Sequence, residues 1–313
     1  PEWEPLSPEI VEDEAIRGDF MLRCAVILLA LLVGCRQIVE TTTLLHVKTG
    51  KYLAAHGYWP PANDVFTSTA TEHRWVNLSW LWDLVSSGAF AIGEGIGLSL
   101  LTAILVALTW WMLAKTSRDN VSTWWGSVVG AGTLLASNTH FSGQPETVTL
   151  LGMAMLLWRL HAWRQSQRES DQPLVATETV QTEIVRPVSL WPLVPMFALW
   201  SNLDSRMFLG LFALLLWGIG ETLGNGSGRG SLVGSRRKQF WTVFAACVGA
   251  SLLNPLGWHS LAAPIVLYGS EYPALRSYVG LAPTPDELRA FPLWTSAVWT
   301  LWTLPFLSGL CVL

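Results

Sequence analysis

Long apolar runs broken by short polar stretches run through most of this chain. The first run spans residues 21–39, between an acidic segment and a polar one, with Arg23 and Arg36 near its ends. A run at 95–114 (GIGLSLLTAILVALTWWMLA) reaches the ~20 apolar residues that a transmembrane helix needs. Further spans are expected near 121–137, 147–163, 188–201, 207–223, 240–256 and 292–313. The mixed run 79–92 is expected to lie at an interface or to span only partly. No strand alternation competes with this pattern, so the fold expected is all-α, a polytopic helix bundle integral to a membrane, with about seven or eight transmembrane helices.

The polar intervals give the organisation. Residues 1–20 carry seven acidic side chains and a single base, Arg17, and are expected to form a solvated cytoplasmic tail. The transmembrane domain occupies 21–313. A long outer first loop covers 40–78, and 164–187 and 224–239 are expected to be cytoplasmic linkers. The chain ends inside an apolar run, at Leu313, which predicts that the protein continues beyond it.

Composition narrows the class. Only 13% of the 313 residues are charged, about half the ~25% of a soluble domain, and mean hydropathy is +0.37. Nineteen tryptophans suit aromatic belts at lipid–water interfaces. A net charge of −4 gives no basic footprint for nucleic acid. Disorder is excluded by the apolar content. The cysteines Cys24, Cys35, Cys247 and Cys311 stand in apolar runs without metal spacing.

Bases are retained on the cytoplasmic side. With the N-terminus inside, ten Lys/Arg (115, 118, 159, 164, 168, 186, 229, 236, 237 and 238) fall in inner segments. Seven (36, 48, 51, 74, 206, 276 and 289) fall in longer outer ones. The N-terminus is therefore assigned to the cytoplasm, and 40–78, 138–146, 202–206 and 257–291 to the outer face.

Those outer segments hold the candidate chemistry. Pro60-Pro61 followed by Asn63-Asp64 is a turn signal that holds Asp64 in a defined conformation. Asp83 stands on an aromatic helix beside Trp80 and Trp82, facing either a cavity or headgroup water. Asp204 and Arg206 flank a very short turn, where charges at membrane depth are functional suspects. Glu146, after Pro145, suits the positive end of a helix dipole. His46, His56, His73 and His140 with Asp64 offer ligands to a divalent ion, but their spacing matches no compact metal motif. No metal residue is assigned, and a divalent metal is the one cofactor the sequence leaves open. The glycine string 224–230 lacks the phosphate-loop pattern and reads as a flexible linker. Gly126 and Gly130 form a helix-packing GxxxG.

In series, these outer segments resemble a group of bacterial multi-spanning proteins related to the GT-C glycosyltransferases. The group's first loop has D-x-D-x-W-W-H-x-x-x-G, then G-x-x-P-x-x-D-x-F-S-x-T, then W-x-x-x-x-W-L-x-[ED]. Here these become Glu40 to His46 with Gly50, then Gly57 to Thr69 through Asp64, then Trp75 through Trp80-Leu81-Trp82-Asp83. Gln144-Pro145-Glu146 stands where the group has R-P-[EQ]. Trp200-Ser201-Asn202-Leu203-Asp204 with Phe208 and Gly210 resembles W-x-N-x-[HD]-x-x-F-x-x-G. Leu253-Asn254-Pro255-Leu256-Gly257-Trp258 resembles L-N-P-x-G-W. The likeness runs in order over roughly residues 20–290.

The resemblance implies a GT-C-like architecture in the bacterial cytoplasmic (inner) membrane and a polyprenyl-phosphate sugar as donor. A carboxylate of the first outer loop would take the acceptor's proton, and cations or a metal would stabilise the leaving phosphate. Glu40 and Asp64 are the implied catalytic acids, and His46, Arg74, Asp83, Asp204 and Arg206 the substrate-binding residues, with Lys48 and Lys51 as further cations. Membrane lipids are the expected partners. The chain departs from the pattern in three places. Thr42 stands for a second acid, Leu44-Leu45 for the tryptophan pair and Gln144 for the arginine. The alternative is therefore a non-catalytic member of the same fold that binds a lipid carrier, transports or scaffolds.

Overall fold

The computed structural model describes residues 8–35, 41–63, 65–66, 75–116, 123–137, 141, 143–170, 188–223 and 235–262. Among these the fold is all-α, without a β-strand. The helices are α1 (Pro8–Gly34), α2 (Thr41–Ala55), α3 (Trp80–Ala114), α4 (Thr123–Ala136), α5 (Glu146–Ser170), α6 (Leu193–Leu203), α7 (Met207–Leu223) and α8 (Ser235–Ser251).

The main core draws on α3, α5, α6, α7 and α8. Trp82, Leu156, Leu160, Trp163, Phe197, Trp200, Leu214, Phe240 and Cys247 are all buried in it. Two close approaches need glycine. A Cβ on Gly152 of α5 would lie 2.7 Å from the Trp200 ring, and one on Gly210 of α7 would lie 2.5 Å from the far edge of the same ring. The indole of Trp200 therefore fills space that α5 and α7 both vacate. A smaller cluster joins Val26 and Ala30 of α1 to Val106 and Ala107 of α3 and Leu134 of α4. Gly34 admits the backbone of Ala103, 2.6 Å from where its Cβ would be.

α3 is two arms joined at a corner. Gly93 and Glu94 have non-helical angles, and Glu94 has φ +50°. A Cβ on Gly97 would stand 2.1 Å from the carbonyl oxygen of Ala89, so the arms touch across the bend. The run expected to be interfacial, 79–92, thus supplies the first arm and the expected span 95–114 the second. At 1.5 Å per residue the second arm is about 30 Å long, the thickness of a bilayer's hydrocarbon core.

α3 is the one helix among the described residues that is long and apolar enough to cross a membrane, by length and composition. Only 22% of its apolar window is buried. The exposed side of its second arm carries Ile96, Leu100, Ile104 and Leu108, four residues apart along one stripe. α7 carries a comparable stripe in Phe212, Leu216, Ile219 and Leu223.

Several boundaries differ from the sequence reading, the first being that α1 starts at Pro8, inside the segment 1–20 expected to be a solvated tail. The outer loop 40–78 opens with α2, because Thr43, Val47 and Gly50 bury one face of a helix against α3. The linker expected at 164–187 begins later, because α5 runs on to Ser170. Arg164 on that extension lies 3.3 Å from the buried Glu221 of α7, an ion pair that supports the extra turns. The expected span 292–313 and most of the segment 257–291 lie outside the described residues.

Candidate functional site

The polar ends of α2, α3, α5, α6, α7 and α8 are tied together by side-chain hydrogen bonds, several of them buried. The first tie is between α2 and α3. His46 and Gly50 are four apart and share a helix face. A Cβ on Gly50 would lie 1.9 Å from the carbonyl oxygen of Asp83 and 2.6 Å from Cβ of Ser87. That backbone approach brings His46 Nδ1 to 2.5 Å from Asp83 Oδ1.

Asp83 is 2% exposed, and a buried carboxylate is tolerated only when hydrogen-bonded. Its second oxygen accepts a 2.6 Å bond from the Asn77 amide. The orientation of that amide is fixed by its other end. The Ser79 backbone N–H donates to Asn77 Oδ1 at 3.0 Å, and an N–H has nothing but a proton to offer, so the Asn77 NH₂ must face Asp83.

A second node lies at the α6–α7 turn. Asp204 ends α6 in extended conformation, its N–H donating to Trp200 O at 2.9 Å. Its carboxylate accepts from the Thr149 hydroxyl at 2.6 Å and from the Arg206 N–H at 3.3 Å. The same Thr149 oxygen accepts from Trp200 Nε1 at 2.9 Å. The guanidinium of Arg206 lies 3.6 Å from Asp204 Oδ2 and 3.5 Å from Glu146 Oε2. Two carboxylates therefore bracket one arginine, and its charge is engaged within the protein.

The nodes are linked. Trp80, one turn before Asp83, donates its indole N–H to Asn202 Oδ1 at 2.9 Å, and Asn202 stands two residues before Asp204. Asn202 also donates to Leu253 O at 2.8 Å, while Asn254 donates to Ser201 O at 2.5 Å, which anchors the end of α8. Gln144, before α5, donates to Thr42 Oγ1 of α2 at 2.6 Å.

Of the residues expected at the site, His46 and Asp83 form one direct pair, and Asp204 and Arg206 a second. Glu40, Asp64 and Arg74 lie outside the described residues, as do His73 and His140. His56, just past the end of α2, bonds to and stacks on Tyr52 of that helix. Lys51 sits over the ring of Phe90, 4.6 Å from its centroid. Among the described residues no group of three or more His, Cys, Asp or Glu is arranged to hold a metal ion.

Sequence reasoning missed Asn77 and Thr149 as supports. Asn77 offered only a glycosylation-type triplet. Thr149 carried a usable signal, since it lies one turn after Glu146 on the same helix face. Glu146 has the expected place in the first turn of α5 and adds the contact to Arg206. Comparison with known proteins finds no matching family model, curated protein or solved structure.

Proposed function

We propose that the chain is a polytopic GT-C-like protein of the bacterial inner membrane with its N-terminus in the cytoplasm. In this reading the polar end of its helices transfers a sugar from a polyprenyl-phosphate donor to an acceptor hydroxyl on the outer face. One observation carries the reading. Five polar stretches scattered over more than two hundred residues converge through direct side-chain bonds: His46 with Asp83, Gln144 with Thr42, Glu146 with Arg206, and Asn202 and Asn254 with their neighbours. These are the stretches that carry the family resemblance. The exposed apolar stripes of α3 and α7 support a lipid environment, since contiguous apolar surface on a lone soluble chain is rare.

In this reading the first-loop acids Glu40 and Asp64 serve the acceptor, and Arg74 with Lys48 and Lys51 faces the lipid phosphate. Asp204 and Arg206 hold the wall of the site. The engagement of Arg206 by two carboxylates favours one alternative, a non-catalytic protein of the same fold. Native mass spectrometry of the protein with polyprenyl phosphate and polyprenyl-phosphate hexoses tests the reading. Retention of a sugar lipid in preference to ordinary phospholipids is expected. Equal retention of all lipids would remove the glycosyltransferase assignment.

A further inference from the structure

We infer that His46 is the proton acceptor of the transfer, with Asp83 as its positioning residue, an inference that rests on the glycosyltransferase reading and moves the base from the loop acids to the helix pair. The argument is one of donors and acceptors. The Ser79 N–H fixes the Asn77 amide so that it donates to Asp83 Oδ2. Asp83 therefore accepts on that oxygen, and as a carboxylate it accepts on the other as well. With Asp83 held as a carboxylate, the short bond at Oδ1 takes its proton from His46 Nδ1. A neutral imidazole protonated at Nδ1 carries its lone pair on Nε2. Among the described residues Nε2 has no hydrogen-bond partner, and the His46 side chain keeps 15% of its surface exposed, against 2% for Asp83. A buried carboxylate behind an accessible imidazole is the arrangement that makes histidine a base.

The step balances with no further reagent. The acceptor oxygen forms a bond to the anomeric carbon as the bond from that carbon to the phosphate oxygen breaks. The hydroxyl proton passes to His46 Nε2, and the electron pair leaves with polyprenyl phosphate. The imidazolium so formed is stabilised by Asp83 and returns its proton to water. General-base assistance of this kind is worth about 10²–10⁴-fold in rate.

The test uses the full chain in detergent, labelled with [¹⁵N]histidine, and short-chain polyprenyl-phosphate hexoses as probes. The wild-type spectrum, assigned with His46→Gln, is expected to show His46 as the Nδ1–H tautomer, and Asp83→Asn to abolish that preference. Release of polyprenyl phosphate is expected to fall at least ~100-fold in both variants, while native mass spectrometry shows donor retention within about two-fold of wild type. Glu40→Gln and Asp64→Asn are expected to lose less. An Nε2–H tautomer for His46 in the wild type overturns the inference. Unchanged turnover in His46→Gln overturns it as well. Absence of donor retention by the wild type overturns the glycosyltransferase reading instead, and the tautomer then decides the pair on its own.

Discussion

Gly50 meets the Asp83 carbonyl so closely that no side chain fits between them, the missing Cβ falling 1.9 Å from that oxygen. The obstacle is backbone, so it cannot rotate aside. Gly50→Ala is expected to push α2 away from α3, lower stability by about 1–3 kcal/mol and separate His46 from Asp83. Trimming Ser87 to glycine should not rescue it, because the carbonyl remains. Thermal unfolding of the single and double variants checks this.

Gly210 presents the opposite case, since what blocks it is the far edge of a side chain. Gly210→Ala should cost about 1–3 kcal/mol in the wild type. It should cost clearly less beside Trp200→Phe, which removes the edge that the new methyl strikes. A double-mutant cycle should return a coupling of about 0.5–3 kcal/mol. Strict additivity would mean that Trp200 does not fill the space described.

Thr149 is both acceptor and donor, taking the indole proton of Trp200 and giving its own to Asp204. All three residues are buried. Thr149→Val keeps the shape and removes both bonds, so a loss of about 1–3 kcal/mol is expected. Thr149→Ser should recover most of it. Denaturant titration in detergent separates the two.

Arg206 is held by Glu146 and Asp204. Glu146→Gln removes one of the two negative charges beside it. If the lipid phosphate approaches this end of the helices, as proposed, the variant should retain polyprenyl phosphate more strongly than wild type in native mass spectrometry. Weaker retention would separate Arg206 from the anion's path.

The all-helical class was legible because the apolar runs are long and uninterrupted by strand alternation. α2 was not, since its buried face is Thr43, Val47, Thr49, Gly50 and Leu53, too polar and too small to register as a hydrophobic stripe. His46, Asp83, Asp204 and Arg206 stood out singly, as polar groups out of keeping with their apolar surroundings. Which of them would meet was not legible, because His46 and Asp83 are 37 residues apart and depend on a glycine contact that no pattern of hydrophobicity encodes. The Arg206–Asp204 contact was the easier inference, being two residues across a turn. The late end of α5 had a local cause that looked like linker. Arg164 is a surface-type residue until Glu221, far along the chain, gives it a partner.

The bond from Trp80 to Asn202 joins residues 122 positions apart, and this separation sets a schedule. At a synthesis rate of about 5–20 residues per second, Asn202 emerges roughly 6–24 s after Trp80. Until then the first arm of α3 has neither its indole partner nor α6 behind it. Helix α2 can dock on that arm early, because Thr41–Ala55 precedes it, so the His46–Asp83 pair can form while the rest is still being made. The site is thus assembled in two instalments, a local pair first and the enclosing wall last. Anything that delays α6 prolongs the interval in which the finished half stands open.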